Sequence, residues 1–399
     1  MDILISGASV AGPALALWLN RYGIATTIVE KAPALRDGGY AVDFRGKAHM
    51  GVLRKMGVLE AIERKQTHMG AMWNVNEAGK KLAKMPEDLF AGDVEILRGD
   101  LARILYDATE AGTEYLFGDS IASMHEDAHG VAVTFERGAT RRFDLVIGAD
   151  GVHSNVRSLA FGPEAAVSTY LGLHNAVFTT ANHLGLDYSG QSLSLPGKMV
   201  ASYSARGNQE AKAVFWFALD RPGSDRLSVD QQKQILAEEF RDTGWIAPRL
   251  LEDMWEADDF YFDSITQIHL DRWSRGRVGL VGDAAWCASP LSGMGTGLSV
   301  VGAYVLAGEI ATTGGFGNYE AIMRDYAAGA QRSAVGVSKF MVPTNRFMGW
   351  FMNQNYKLLP YVPWKGMMAA SVRKTAEAVT LPDYPVGPVP RRRPSGRAS

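Results

Sequence analysis

Between Gly276 and Gly297 the chain reads Gly-Arg-Val-Gly-Leu-Val-Gly-Asp-Ala-Ala-Trp-Cys-Ala-Ser-Pro-Leu-Ser-Gly-Met-Gly-Thr-Gly. The run Val278 to Val281 has the length and composition of a buried strand, and it delivers one carboxylate, Asp283, just ahead of a glycine-rich turn. Glycine without a Cβ lets backbone approach a flat ligand. A second glycine-rich turn, Gly7-Ala8-Ser9-Val10-Ala11-Gly12, stands near the other end of the sequence. Two such turns on separate strands place both at the carboxyl edge of one parallel sheet, where open α/β folds keep their binding crevice.

Around the first turn the pattern is strand, turn, helix, strand. Ile3 to Ile5 is apolar, Leu15, Trp18, Leu19 and Tyr22 recur at helical spacing, and Thr26 to Val29 reads as the next strand. Glu30 then lies about 20 residues beyond the turn, where a ribose-binding acid is needed, with Lys31 beside it. Gly7-x-Ser9-x-x-Gly12 departs from the GxGxxG pattern at its middle glycine, but serine is small, and the amides and dipole of a helix start still attract an anion. An ordinary strand-to-helix turn is the plainer reading; the placement of Glu30 favours dinucleotide binding. A further buried strand, Leu145 to Ala149, runs into Asp150-Gly-Val-His-Ser-Asn-Val-Arg157. Asp150 and Asp283 are thus two strand-end carboxylates suited to ribose or ribitol hydroxyls, unless each merely caps a turn or helix. Arg98 offers a bidentate fork to a pyrophosphate. The extended cofactor that fits is FAD.

Length and charge narrow the partners. At 399 residues two structural units are expected. A net charge of -2 gives no electrostatic case for nucleic acid or anionic membranes, which leaves a small molecule. The single cysteine, Cys287, excludes a disulfide framework and suits a cytoplasmic setting. Strand-like residues from Asp2 leave no room for a signal peptide. Ala284 to Gly308 carries no charged residue, yet its glycines, serines and Pro290 argue against a membrane span.

In the middle of the chain Gln191 to Ser204 and Ala213 to Leu219 are rich in Ser, Val, Tyr, Phe and Trp, as antiparallel strands are. This implies an α/β protein with a Rossmann-like FAD-binding domain (1–70, 95–162 and 274–330). A mainly antiparallel substrate domain (71–94 and 163–273), a C-terminal helical region (331–380) and a flexible tail (381–399) complete it. Ser228 is placed to cap a helix through Phe240, and Tyr319 to Ser333 reads as another. From Phe340 to Ala370 the prolines 343, 360 and 363 imply short helices, whose Met and aromatic residues suit interdomain packing better than a membrane foot. The tail from Leu381 ends in Arg391 to Arg393 and is expected to have little fixed structure. Substrate-pocket candidates are Phe178, Thr180, Phe215, Phe217, Pro290 and Met294, with core packing the competing reading for each sheet residue.

Two motifs point elsewhere and are set aside on geometry. His125-Glu-Asp-Ala-His129 matches HExxH by letter, but Gly130 and the alternation after it read as a hairpin, on which the imidazoles would not converge on zinc. Asp150, His153 and Ser154 contain the residue types of a hydrolase triad, yet three near-neighbours on one loop cannot easily converge.

Gly7 to Gly12 with Glu30, then Arg98-Gly-Asp-Leu101, then Asp150 to Arg157, then Gly282-Asp283-Ala-Ala occur in a familiar order. The chain resembles the single-component FAD-dependent aromatic hydroxylases, the para-hydroxybenzoate hydroxylase group, and within it looks closest to tetracycline-inactivating flavin monooxygenases. The resemblance implies that Gly7, Ser9, Val10, Ala11, Gly12, Glu30 and Lys31 hold the adenosine side of FAD and Arg98 the pyrophosphate or ribitol region. It places Asp150 where flavin and nicotinamide meet, Asp283 at the ribitol, and Arg45 near the flavin or incoming nicotinamide. Pro290, Gly293, Met294 and Gly295 should lie against the isoalloxazine. NADPH or NADH as transient co-substrate, O2, an aromatic or polycyclic substrate, a flavin C4a-hydroperoxide and a monomer or homodimer follow by the same resemblance. An FAD-dependent dehydrogenase or reductase and a non-catalytic flavin- or drug-binding protein are the alternatives. Three positions depart from the pattern: Trp286 stands where His is frequent, Gly297 where Asn is frequent, and Gly302 where an acid is usual.

Overall fold

The computed structural model describes residues 1–36, 38–85, 92–358 and 377–385. A six-stranded sheet has the order Ser274–Arg275, Val278–Leu280, Leu145–Gly148, Asp2–Ser6, Ala25–Glu30, Thr113–Phe117. All its pairings are parallel except the short edge pair Ser274–Arg275 with Val278–Leu280. Ser6 pairs with Gly148 and Gly148 with Leu280, so the strands that precede the Gly7, Asp150 and Asp283 turns end side by side. Ile3–Ile5, Leu145–Ile147 and Val278–Leu280 at the centre of the sheet are apolar runs buried on both faces.

Helix Ala11–Arg21 lies against helix Gly295–Thr313, with Trp18 edge-on to Tyr304 at 4.9 Å between ring centroids. Gly295–Thr313 is buried from Gly297 to Ile310, which accounts for its largely apolar sequence: every face meets protein. Among the described residues no helix is long and apolar enough to cross a membrane.

A second, seven-stranded sheet runs Tyr261–Ile268, Ser168–Thr180, Glu210–Ala218, Lys198–Ala205, Gly190–Leu195, Met72–Val75, Lys81–Met85. It is antiparallel apart from the pairing of Gly190–Leu195 with Met72–Val75. One face is covered by helices Val229–Phe240 and Ala247–Glu256, the former started by a capping box between Ser228 and Gln231. The HExxH-like segment is a hairpin, with His125 opposite Ala132 and Asp127 opposite Gly130.

The C-terminal part differs from the sequence expectation in three respects. Helix Tyr319–Met341 continues past Ser333 and across the expected boundary at 330, stopping only before Pro343. In helix Arg346–Leu358, Phe347, Trp350 and Phe351 are exposed, so these aromatics do not pack between domains. The tail is anchored at its start. Tyr384 is buried, its hydroxyl donates to Glu309 Oε1 at 2.7 Å, and its ring fills the space beside Gly308. Arg391 to Arg393 lie outside the described residues.

Candidate functional site

The first turn is compact enough to require its glycines. A Cβ at Gly7, whose φ is +109°, would stand 2.4 Å from the carbonyl oxygen of Ala149, and one at Gly12 would stand 1.9 Å from that of Gly7. Val10 begins helix Ala11–Arg21 with no side-chain cap, so the first-turn amides have no intrahelical acceptor and face the crevice as an anion site. Glu30 closes one side of this cradle, its carboxylate accepting from the amides of Ala8 at 2.8 Å and Ala32 at 2.9 Å. Arg98, first residue of helix Arg98–Asp107, reaches across to Ser9 Oγ at 3.1 Å. The middle serine therefore provides a contact that a glycine there would lack. Lys31 is exposed beside Glu30.

Asp150 occupies the expected place, but its oxygens are already engaged. They accept from Ser154 Oγ at 2.5 Å, Asn155 N at 2.9 Å, Val156 N at 3.1 Å and Ser6 Oγ at 3.2 Å. This carboxylate organises the loop and the start of helix Asn155–Phe161, chiefly through Oδ2, while Oδ1 accepts from Ser154 alone. Arg157, given no role in the sequence reading, is fully buried and links this loop to the next. It donates to Ala284 O at 3.1 Å, to Val152 O at 2.5 Å and to Glu164 Oε2 at 3.0 Å. Asp283 begins the short helix Asp283–Trp286 beyond Gly282. Burial pushes its carboxyl up, while the Arg98 guanidinium holds it partly down, which places the two groups within electrostatic reach. Arg45 is clamped on the Asp43 carboxylate, by Nε at 3.0 Å and Nη2 at 2.5 Å.

His153 does not face Ser154. Its Nε2 lies 2.7 Å from Asp225 and 3.5 Å from Asp263, and its Nδ1 3.1 Å from Glu164. Hydrogen bonds to Asp225, Asp263 and Glu164 raise its pKa to about 11. A metal ligand must be a neutral imidazole, so although His153, Asp225 and Asp263 have the spacing of a metal site, the group is better satisfied as imidazolium among carboxylates.

The second glycine-rich turn holds Ser289 and Gly293 at positive φ, 72° and 61°, and ends where helix Gly295–Thr313 begins without a side-chain cap. A Cβ on Gly295 would stand 3.8 Å from Asp283 Oδ1, so the uncapped helix start and the carboxylate adjoin. The three departures from the family pattern are explained in pairs. A Cβ on Gly302 would meet the Trp286 ring at 2.8 Å, so the larger ring occupies the space that the missing acid leaves. A Cβ on Gly297 would stand 2.1 Å from His49 Cε1. His49 fills that space from another helix, Gly46–Met56, accepting from Arg45 N at 3.0 Å and meeting Tyr326 OH at 2.7 Å.

An uncapped helix start, an acid at the second strand end, an arginine over the turn and a strand-end aspartate together fit an adenosine diphosphate joined to a ribitol. Residues 1–340 match the family described as FAD binding domain. The chain belongs to this FAD-binding family. It is a flavin-dependent monooxygenase, as its similarities show. It is 36% identical over 394 residues to a flavin-dependent monooxygenase of Legionella longbeachae serogroup 1, covering 96% of this chain and 98% of that one. An uncharacterized protein of Mycobacterium tuberculosis (strain ATCC 25618 / H37Rv) is 47% identical over 330 residues, 80% of this chain and 88% of its own length. The crystal structure of tetracycline destructase Tet(51) superposes with a TM-score of 0.84 at 32% identity, covering 96% and 99% of the two chains.

On the sheet of this monooxygenase the expected pocket residues fall on the wrong face. Phe178, Phe215 and Phe217 are fully buried with Phe240, Leu236 and Leu250 under the two covering helices. Thr180 shares that side and donates to Asp253. Met294 is 1% exposed, its side chain inside the core of the FAD-binding domain. Successive strand residues point to opposite faces, so the crevice side carries Leu173, Asn175 and Val177 with their cross-strand partners Val214 and Trp216. Leu173 and Trp216 pack with Leu291 of the second turn, and Tyr203 OH on the same face accepts from Ala41 N at 3.0 Å. Pro290 is half-buried beside Leu291.

Proposed function

We propose that this monooxygenase uses NADPH or NADH and O2 to hydroxylate an aromatic or polycyclic substrate, with a tetracycline-like polyketide as the favoured class. The observation that carries the proposal is the meeting of two surfaces. Leu291 of the second glycine-rich turn packs with Leu173 and Trp216 of the seven-stranded sheet, and Tyr203 OH on the same sheet face accepts from Ala41 N, so that face adjoins the segments that carry the cofactor-binding residues. Glu30 would hold the adenosine ribose, Arg98 the pyrophosphate and Asp283 the ribitol, and the backbone of Gly293 to Gly295 would lie along the isoalloxazine. Bound and reduced, FAD supplies the activation of O2. The chain supplies orientation and dryness: Leu291, Pro290 and the apolar sheet face exclude water, and the uncapped start of helix Gly295–Thr313 stabilises negative charge beside it. The similarity to tetracycline destructases supports the substrate class.

The same proposal divides the chain into an FAD-binding domain (1–70, 95–162 and 274–341) and a substrate domain (71–94 and 163–273). Its C-terminal limit moves from 330 to Met341 because the helix is continuous. The test is NADPH and NADH oxidation by the FAD-loaded protein with and without tetracycline, with mass spectrometry of the product. Substrate-stimulated oxidation with gain of one oxygen atom is expected. A product changed only in hydrogen content would indicate a dehydrogenase, and no stimulation by tetracyclines or phenols would refute the proposal.

A further inference from the structure

Helix Arg346–Leu358 is apolar on two opposite sides, and the fold accounts for only one of them. At about 100° per residue, Gly349, Met352, Asn353 and Tyr356 share one side. That side meets protein. Tyr356 packs with Met72, Met85 and Ala201 of the seven-stranded sheet, Gly349 lies beside Pro343, and Asn353 Oδ1 accepts from Asn74 Nδ2 at 2.8 Å. Phe347, Trp350, Phe351 and Leu358 lie on the opposite side and are 49–71% exposed. Phe347 stacks with Trp350 and Phe351, at 5.8 and 6.5 Å between ring centroids, so the three rings form one patch rather than scattered side chains.

A helix side this apolar is normally covered. Roughly 350 Å² of aromatic surface stands open, less than half of the ~800 Å² per partner that a stable dimer buries, so the patch is too small to hold a second copy of the chain. Its charge surroundings are one-sided. From Tyr326 to Leu358 the sequence carries Arg332, Lys339, Arg346 and Lys357, all of them exposed, and no Asp or Glu. The formal charge of the whole chain is -2, so this cationic stretch is cancelled in the total and shows only locally. On the helix itself Arg346 and Lys357 fall on the same flank of the ring stripe.

We propose that the exposed side of helix Arg346–Leu358 docks on an anionic lipid bilayer, with Phe347, Trp350, Phe351 and Leu358 entering the headgroup boundary and Arg346 and Lys357 lying against lipid phosphates. Aromatic rings beside lysine and arginine on one helix side are the composition of a helix that lies in a membrane interface. At 13 residues, about 20 Å, the helix is too short to span and rests in the plane of the surface. The rings supply apolar burial and the cations an attraction that only anionic lipid returns. Docking by this helix brings the substrate sheet, on which its other side is packed, to the lipid, where apolar molecules concentrate. The inference stands apart from the choice of substrate.

The test is flotation of the full-length, FAD-loaded protein with vesicles of phosphatidylglycerol mixed into phosphatidylcholine and with vesicles of phosphatidylcholine alone. Binding to the anionic vesicles should be at least about tenfold tighter and should fall as salt is raised. Phe347→Ser with Trp350→Ser should weaken it by about tenfold or more, while melting temperature and flavin content stay unchanged because both rings are exposed. Arg346→Gln with Lys357→Gln, which keeps the rings, should weaken binding to the anionic vesicles by about fivefold for each charge removed and leave binding to phosphatidylcholine unmoved. No flotation with anionic vesicles at low salt, equal binding to the two vesicle types, or binding unmoved in both double variants would overturn the proposal. Absence of flotation together with a dimer in sedimentation that Trp350→Ser dissociates would overturn it in favour of a second copy of the chain.

Discussion

Gly297→Ala adds a single methyl group to a helix, a change that on an exposed helix would stabilise. Here the structure predicts the reverse. The new Cβ would stand 2.1 Å from His49 Cε1 and 2.5 Å from both ring nitrogens, where carbon atoms normally approach to about 3.5 Å. Relief needs a shift of roughly 1.4 Å. The ring has nowhere to go: it is 1% exposed, Nδ1 accepts from Arg45 N at 3.0 Å, and Nε2 meets Tyr326 OH at 2.7 Å. Overpacking costs about 1–3 kcal/mol, and each buried hydrogen bond broken with its partner left unmet about 1–3 kcal/mol more. A total of about 2–6 kcal/mol follows, which at about 2.1 cal/mol/K per residue over 399 residues is a fall in melting temperature of about 2–7 °C for the FAD-loaded protein. His49→Ala alone should also destabilise, by removing the hydrogen bonds that the ring makes with Arg45 N and Tyr326 OH. In the double variant the added methyl enters the space the ring vacated, so the two costs should fail to add by at least about 1 kcal/mol in the favourable direction. An unchanged melting temperature for Gly297→Ala, or strict additivity, would refute the contact.

Two further predictions concern the sheet and its charged anchor. Phe215→Leu should lower the melting temperature and leave substrate preference unchanged, whereas its neighbour Trp216→Leu should alter KM or product distribution with a smaller loss of stability; steady-state kinetics beside thermal unfolding separates the two faces. His153 has a folded-state pKa raised to about 11 from an ordinary 6.5, so its contribution to stability is fully present below about 6.5 and is lost as pH rises toward 11. The deficit of His153→Gln relative to wild type should therefore shrink between pH 7 and pH 10 in thermal unfolding, and a deficit that stays constant would mean the imidazolium is not held by Asp225, Asp263 and Glu164.

What the sequence displayed most clearly were the features imposed by backbone geometry. Gly7 and Gly12 are required because any Cβ there strikes backbone, and Glu30 follows at the distance that a strand, turn, helix and strand must span. The antiparallel strands and the capping box at Ser228 were legible for the same reason, as local patterns with local causes. The orientation of the sheet was not. From Ala213 to Leu219 every residue is apolar, because one face meets covering helices and the other meets the ligand crevice. Period-two alternation assigns residues to two faces without saying which face meets solvent, helix or cofactor. Phe215 and Phe217 belong to the core because helices Val229–Phe240 and Ala247–Glu256 bring Phe240 and Leu250 to that side, while Trp216 between them points to the other face.

His49 carries no motif, and its role is set by Gly297 and Tyr326, both distant in sequence. A trace of His49 was nonetheless present as a gap in the pattern, Gly297 in place of Asn. The structure turns that gap, and the one at Gly302, into an argument about volume. Helix Gly295–Thr313 is packed on every side, so a side chain removed from it must be replaced from a neighbour or leave a cavity costing about 24 cal/mol per Å³. Trp286 fills the space beside Gly302 and His49 the space beside Gly297. The departures are therefore two exchanges of bulk between packed partners.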